Sequence, residues 1–142
     1  MTLTVVLILF LEIILDLYTK HKAKTCFVNK LKKGRLFELV SPVLNKGAIL
    51  GLLKKKPKLL HVLTITSLFL LMALLINALI ENDVLAVPMA VVLGGGIGNY
   101  IERIFYGSVT DFIKTGLTKD LVFNLADCFI LFGTLGMMIC LF

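Results

Sequence analysis

Asp111 and Asp127 are the residues of this chain best placed to do chemistry. Both belong to the stretch GGGIGNYIERIFYGSVTDFIKTGLTKDLVFNLAD, residues 94–127, which also holds Asn99, Glu102, Arg103, Asp120 and Asn124. Ionisable groups at membrane depth are costly and rare, so they are read first as a working site. Two carboxylates brought close together cannot both ionise easily; they share one proton and titrate as a unit. The ionised member can activate water while the protonated member polarises a carbonyl. Asn99, Arg103 and Asn124 would then supply donors that hold a peptide backbone.

The bland alternative for these aspartates is helix capping. Asp120 fits it, standing just before an apolar run that begins near Leu121. Asp127 would lie roughly 9 Å of rise inside that helix. Among Ala126, Cys128 and Phe129 it is expected to have no capping role. Glu102 is expected to pair with a Lys or Arg.

The elements that must position these groups follow from composition. The chain has 142 residues, the length of one domain, with 58% hydrophobic and 17% charged residues and a mean hydropathy of +0.98. Those values indicate an integral membrane protein. A bilayer-crossing helix needs about 20 apolar residues. Four runs qualify: residues 1–18, 59–80, 84–106 and 121–142. The first lacks a basic leader and a small-residue cleavage site, so it is read as retained.

Residues 19–58 differ. The β-prone pieces CFV, LFEL and VSPVL alternate with turn-like KKG and NKG. They predict a small sheet resting on the bilayer, with Pro42 on an edge strand. The expected fold is a single all-α membrane domain. It has four transmembrane helices, an extramembrane β-sheet between helices 1 and 2, and Asp111 in a return loop over residues 107–120.

Twelve of the fifteen Lys and Arg lie between Lys20 and Lys58. A basic loop beside membrane spans suits anionic lipid headgroups; no nucleic-acid-binding motif accompanies it. Cys26, Cys128 and Cys140 lack metal or redox spacing, and His21 and His61 are isolated, so no metal is expected. Glu12, Asp16 and Lys20 recur at i,i+4 and should line one helix face turned into the bundle. There the Asp16–Lys20 pair is read as structural. Gly94 and Gly98 form a GxxxG spacing that favours close helix packing. A phosphate loop is disfavoured because no Walker lysine follows.

On these residues the chain resembles the signal peptidase II family of bacterial aspartic endopeptidases. Asp16-Leu17-Tyr18-Thr19-Lys20 resembles its D-Q-x-T-K block, and Asn45-Lys46-Gly47-Ala48 its N-x-G-A block. Gly98-Asn99-Tyr100-Ile101-Glu102-Arg103 with Gly107-Ser108-Val109-Thr110-Asp111-Phe112 resembles G-N-x-x-D-R…G-x-V-x-D-F. Phe123-Asn124-Leu125-Ala126-Asp127 resembles F-N-x-A-D.

The resemblance implies cleavage of prolipoprotein signal peptides before a diacylglyceryl-modified cysteine, without metal or cofactor. Asp111 and Asp127 become the catalytic dyad. Asn45, Gly47, Asn99, Arg103 and Asn124 become substrate-binding or site-supporting groups, with Asp16, Lys20 and Glu102 beside them. It further implies a multi-pass protein of the bacterial cytoplasmic membrane whose site faces the extracytoplasmic side. The positive-inside rule, counted over residues 19–58, points the other way; the motifs are the more specific signal. A monomer is the default expectation.

Three departures stand out. Leu17 replaces the family's Gln, Glu102 replaces Asp before the arginine, and Ile49-Leu50-Gly51 replaces an aromatic-containing segment. They motivate a rival reading, an inactive relative that binds signal peptides or lipoproteins. A third, a transport component relaying protons through Glu12, Asp16 and Asp127, is disfavoured because the chain has no internal repeat.

Overall fold

The computed structural model describes residues 1–26, 32–33, 37–48, 52–115 and 121–142. Its order is α1 (Thr2–Cys26), β1 (Lys32–Lys33), β2 (Phe37–Asn45), α2 (Pro57–Ile80), α3 (Ala86–Tyr106), β3 (Val109–Thr115), β4 (Val122–Phe123) and α4 (Leu125–Leu141). α1 and α2 are long and apolar enough to cross a membrane, and α4 is a shorter apolar helix. α1 continues to Cys26, past the expected end of the first span at residue 18. The extension carries Lys20 and Lys24 up to the level of the sheet-bearing end of α3.

α3 is the central helix, packed against α1, α2 and α4. Its glycines explain why. A Cβ on Gly95 would meet the Ala126 carbonyl oxygen at 2.6 Å, and one on Gly133 of α4 would lie 2.8 Å from the Pro88 carbonyl oxygen. Bare backbone therefore lets α3 and α4 touch, as expected for small residues where lipid offers no hydrophobic drive. On the opposite side Gly94 leaves space filled by the Glu12 carboxylate, and Gly98 space filled by Asp16. At the far end of the bundle Val5, Leu75, Ala78, Ala86, Ala90 and Leu93 form the apolar core.

The outward faces are apolar too: Phe10 and Ile14 on α1, Phe69 and Leu70 on α2, and Phe132 and Ile139 on α4 are exposed. A continuous apolar exterior of this kind suits lipid rather than water.

The sheet corrects one expectation. Its antiparallel strands run β1-β2-β3-β4, so half of it comes from the segment between α3 and α4, not only from the loop between helices 1 and 2. Asp111 consequently lies on a strand rather than in a plain return loop. β2 is flanked by both β1 and β3, so Pro42 is not on an edge strand. It falls where the β2–β3 register shifts between Leu39 and Val43, and β1 pairs only as far as Leu39. A missing N–H breaks no ladder bond there. Residues 49–51 and the expected Asp120 cap lie outside the described residues.

Candidate active site

Three elements deliver Asp111, Asp127 and the groups around them. β3 pairs with β2 in a register that sets Val43 opposite Asp111 and Asn45 opposite Val109. Side chains diagonal across a ladder share a face, and Asn45 Nδ2 donates to Asp111 Oδ2 at 3.1 Å. α3 ends at Gly107, whose φ of 69° is the left-handed cap conformation that favours glycine. The chain reverses there and leads directly into β3.

α4 begins one residue after β4, and its start is where reading the sequence failed. The helix starts at Leu125, with Asn124 as N-cap and Asp127 as the third helical residue. Asp127 N donates to Asn124 Oδ1 at 3.0 Å, and Asn124 N donates to Asp127 Oδ2 at 3.2 Å. The two form a reciprocal capping box. Asp127 therefore does have a capping role, in the first turn rather than deep inside the helix, where a carboxylate also meets the positive end of the helix dipole.

Asn124 ties the two aspartates together. While its Oδ1 accepts from Asp127 N, its Nδ2 donates to Asp111 Oδ1 at 2.7 Å. The remaining oxygen of Asp127, Oδ1, accepts from Asn99 Nδ2 at 2.9 Å. Each aspartate is thus held by two amide side chains or cap groups.

Burial pushes the Asp111 carboxyl up from 3.8 to about 6; the Asn124 and Asn45 amides and Lys20 pull it down, while the Asp127 charge adds to the rise. A neighbouring carboxylate charge that raises Asp111 is what a proton-sharing site requires.

Beneath the pair lies a buried ionic row. Lys20 Nζ donates to Asp16 Oδ2 at 2.7 Å and to Asn99 Oδ1 at 2.8 Å. Asp16 Oδ1 accepts from the Ala126 backbone N–H at 3.0 Å, which locks α1 to the first turn of α4. Asp16 and Lys20 are 0% and 1% exposed, as their i,i+4 spacing predicts. Glu12 sits one turn further along the same face, also buried, and its Oε2 has no hydrogen-bond partner among the described residues.

Arg103 donates from Nη2 to the Gly47 carbonyl at 2.9 Å. It lies within electrostatic reach of Asp111, Asp127 and Glu102. Gly47 N in turn donates to Asn45 Oδ1 at 2.9 Å. This pins the turn after β2 above the site.

All ten residues singled out from the sequence therefore converge, with Glu102 somewhat apart. Glu102 receives Lys24 Nζ, Thr110 N and Thr110 Oγ1, so its expected basic partner is Lys24, with Lys20 at 3.7 Å. Lys24 and Thr110 were missed; the only signal was the continued i,i+4 column from Lys20 to Lys24. No group of His, Cys, Asp and Glu able to hold a metal occurs among the described residues.

A family model described as Signal peptidase (SPase) II matches residues 8–142. This chain belongs to the signal peptidase II family. Lipoprotein signal peptidase of Staphylococcus aureus (strain bovine RF122 / ET3-1) is 32% identical over 146 residues, covering 97% of this chain and 87% of that protein. Lipoprotein signal peptidase of Halalkalibacterium halodurans is 33% identical over 123 residues, covering 81% and 76%. A solved structure described as a bacterial membrane enzyme superposes with a TM-score of 0.79 at 26% identity, covering 97% of this chain and 87% of that one.

As a signal peptidase II family member the chain is a peptidase of bacterial membrane type, and two of its departures can now be placed. Glu102 keeps the acidic charge, and its carboxylate spans α1 and β3. Leu17 lines a groove between α1 and α3 whose floor includes Lys20, Lys24 and Glu102.

Proposed function

We propose that this protein is a membrane aspartic endopeptidase that removes signal peptides from diacylglyceryl-modified prolipoproteins, cutting just before the modified cysteine. The observation that carries the reading is the Asn124 side chain, bonded at once to Asp111 and to the first turn that bears Asp127. In this mechanism the ionised carboxylate of the pair takes a proton from water, and the oxygen attacks the scissile carbonyl. The protonated carboxyl gives its proton to the carbonyl oxygen. On collapse the C–N bond breaks, the leaving nitrogen is protonated by the acid formed in the first step, and the other carboxylate takes back a proton from a hydroxyl of the diol, restoring the pair. Arg103, whose buried Nε has no partner among the described residues, and the Asn45–Gly47 turn are suited to holding the substrate backbone.

α1 and α2 cross the bilayer in this reading, and so do α3 and α4. At 21 residues α3 is about 31 Å long, close to the roughly 30 Å of hydrocarbon. Both termini lie inside, and the sheet rests on the extracytoplasmic surface with Lys54, Lys55, Lys56 and Lys58 facing anionic headgroups.

The test is to incubate purified protein with a diacylglyceryl-modified precursor and locate the cut by mass spectrometry. A single cut before the modified cysteine supports the proposal. A precursor that binds tightly yet stays intact would replace it with the inactive-binder reading.

A further inference from the structure

Lys24 lies outside every motif read from the sequence, yet it closes the charge network that reaches Asp127. Its Nζ sits 2.5 Å from Glu102 Oε1 and its side chain is 33% exposed, against 2% for Glu102. It also lies 4.1 Å from the centre of the Tyr106 ring, so its ammonium is placed from two sides. Glu102 has two further loyalties. Its Oε2 and Oε1 accept from Thr110 N at 2.8 Å and Thr110 Oγ1 at 2.7 Å, gripping the residue next to Asp111. Its Oε2 also lies 3.7 Å from Lys20 Nζ, a distance at which attraction persists without a hydrogen bond.

Lys20 is the contested cation. It now bonds Asp16 and Asn99, and the Asn99 amide it orients is the one that holds Asp127. Removing one partner of a buried ion pair leaves an uncompensated charge, so Glu102 without Lys24 would draw Lys20 across the remaining gap. Lys20 would then leave Asn99, and the Asn99 side chain would lose the contact that fixes its orientation toward Asp127.

We infer that Lys24 is a positioning residue for the Asp111–Asp127 pair: by neutralising Glu102 from the groove side it keeps Lys20 on Asn99, Asn99 on Asp127, and Thr110 clamped beside Asp111. The inference rests on the proposed peptidase reading for its effect on rate, but its structural half stands apart from that reading.

The experiment uses the full-length protein with Lys24→Met, which keeps an apolar stem over Tyr106, and Lys24→Arg, which keeps the charge. In a crystal structure of Lys24→Met, Lys20 Nζ is expected within hydrogen-bond distance of Glu102 and detached from Asn99. An unmoved Lys20 overturns the inference whether or not the protein cleaves anything. In precursor cleavage, Lys24→Met is expected to lose about tenfold in kcat with KM little changed, and Lys24→Arg to recover most of it. Adding Lys24→Met to Glu102→Gln should then cost nothing further, because both act on one network. Additive losses overturn the inference, as does a kcat loss that Lys24→Arg leaves unrepaired. Absence of cleavage by the unaltered protein counts against the peptidase proposal and leaves the structural readout to decide this one.

Discussion

Gly98 makes room for Asp16: a Cβ built on Gly98 would lie 2.6 Å from Asp16 Oδ2 and 3.2 Å from its Cγ. Asp16 cannot step aside cheaply, because Lys20 holds one oxygen and the Ala126 N–H the other. Gly98→Ala is therefore expected to destabilise the bundle by roughly 1–3 kcal/mol, the usual range for overpacking, and to lower cleavage with it. Thermal unfolding in detergent beside a cleavage assay checks both. A fully stable, fully active Gly98→Ala protein would show that the Asp16 row tolerates displacement.

Asn124 serves two purposes that substitution can separate. Asn124→Ala removes the cap, worth about 1 kcal/mol, together with the bond to Asp111. Asn124→Ser can still cap α4, but its hydroxyl is too short to reach Asp111 as well. Serine is expected to restore most of the stability and little of the activity, with cleavage down on the order of a hundredfold in both variants. Equal recovery of both properties by serine would mean the Asp111 contact is dispensable.

Asp111→Asn and Asp127→Asn are each expected to abolish processing of a diacylglyceryl-modified precursor while the protein still purifies as a folded species. Neither amide can take a proton from water or pass one on. Turnover retained by either variant, measured by mass spectrometry of the products, would falsify the paired-carboxylate mechanism.

The raised Asp111 carboxyl makes a pH prediction for stability. Its value goes from 3.8 to about 6 in the fold, so between those values the native state binds a proton that the unfolded chain releases. Stability from this group is then greatest below pH 3.8 and declines as pH rises through 6. The full difference is on the order of 3 kcal/mol. Unfolding of the unaltered protein and of Asp111→Ala between pH 4 and 8 should show a decline with rising pH that the variant lacks. Parallel curves for the two proteins would contradict it.

Much of this protein could be read from local sequence. The apolar runs announced the helices, and the i,i+4 spacing of Glu12, Asp16 and Lys20 put them on one buried face, since helix periodicity is a local property. The motif residues around Asn99, Asp111 and Asn124 marked where polar groups gather. Other features depended on partners distant along the chain. No propensity within Val109–Thr115 or Val122–Phe123 reveals that they complete a sheet begun before α2, because strand pairing is decided by the neighbour that supplies the hydrogen bonds. Val122 and Phe123 read as the start of the last helix for that reason, whereas the helix starts at Leu125 behind its Asn124 cap. That shift turned Asp127 from an apparent interior carboxylate into half of a capping box.

The sequence by itself determined which residues carry charge, which faces are apolar and how α1 aligns its ionisable column. Only the tertiary structure decided that α3 approaches α1 closely enough for Lys20 to meet Asn99 and for Lys24 to meet Glu102. Those contacts join residues far apart in the chain. The GxxxG spacing of Gly94 and Gly98 marked a close approach, but which helix would make it, and with Glu12 and Asp16 filling the space, is settled only by the packing of the whole bundle.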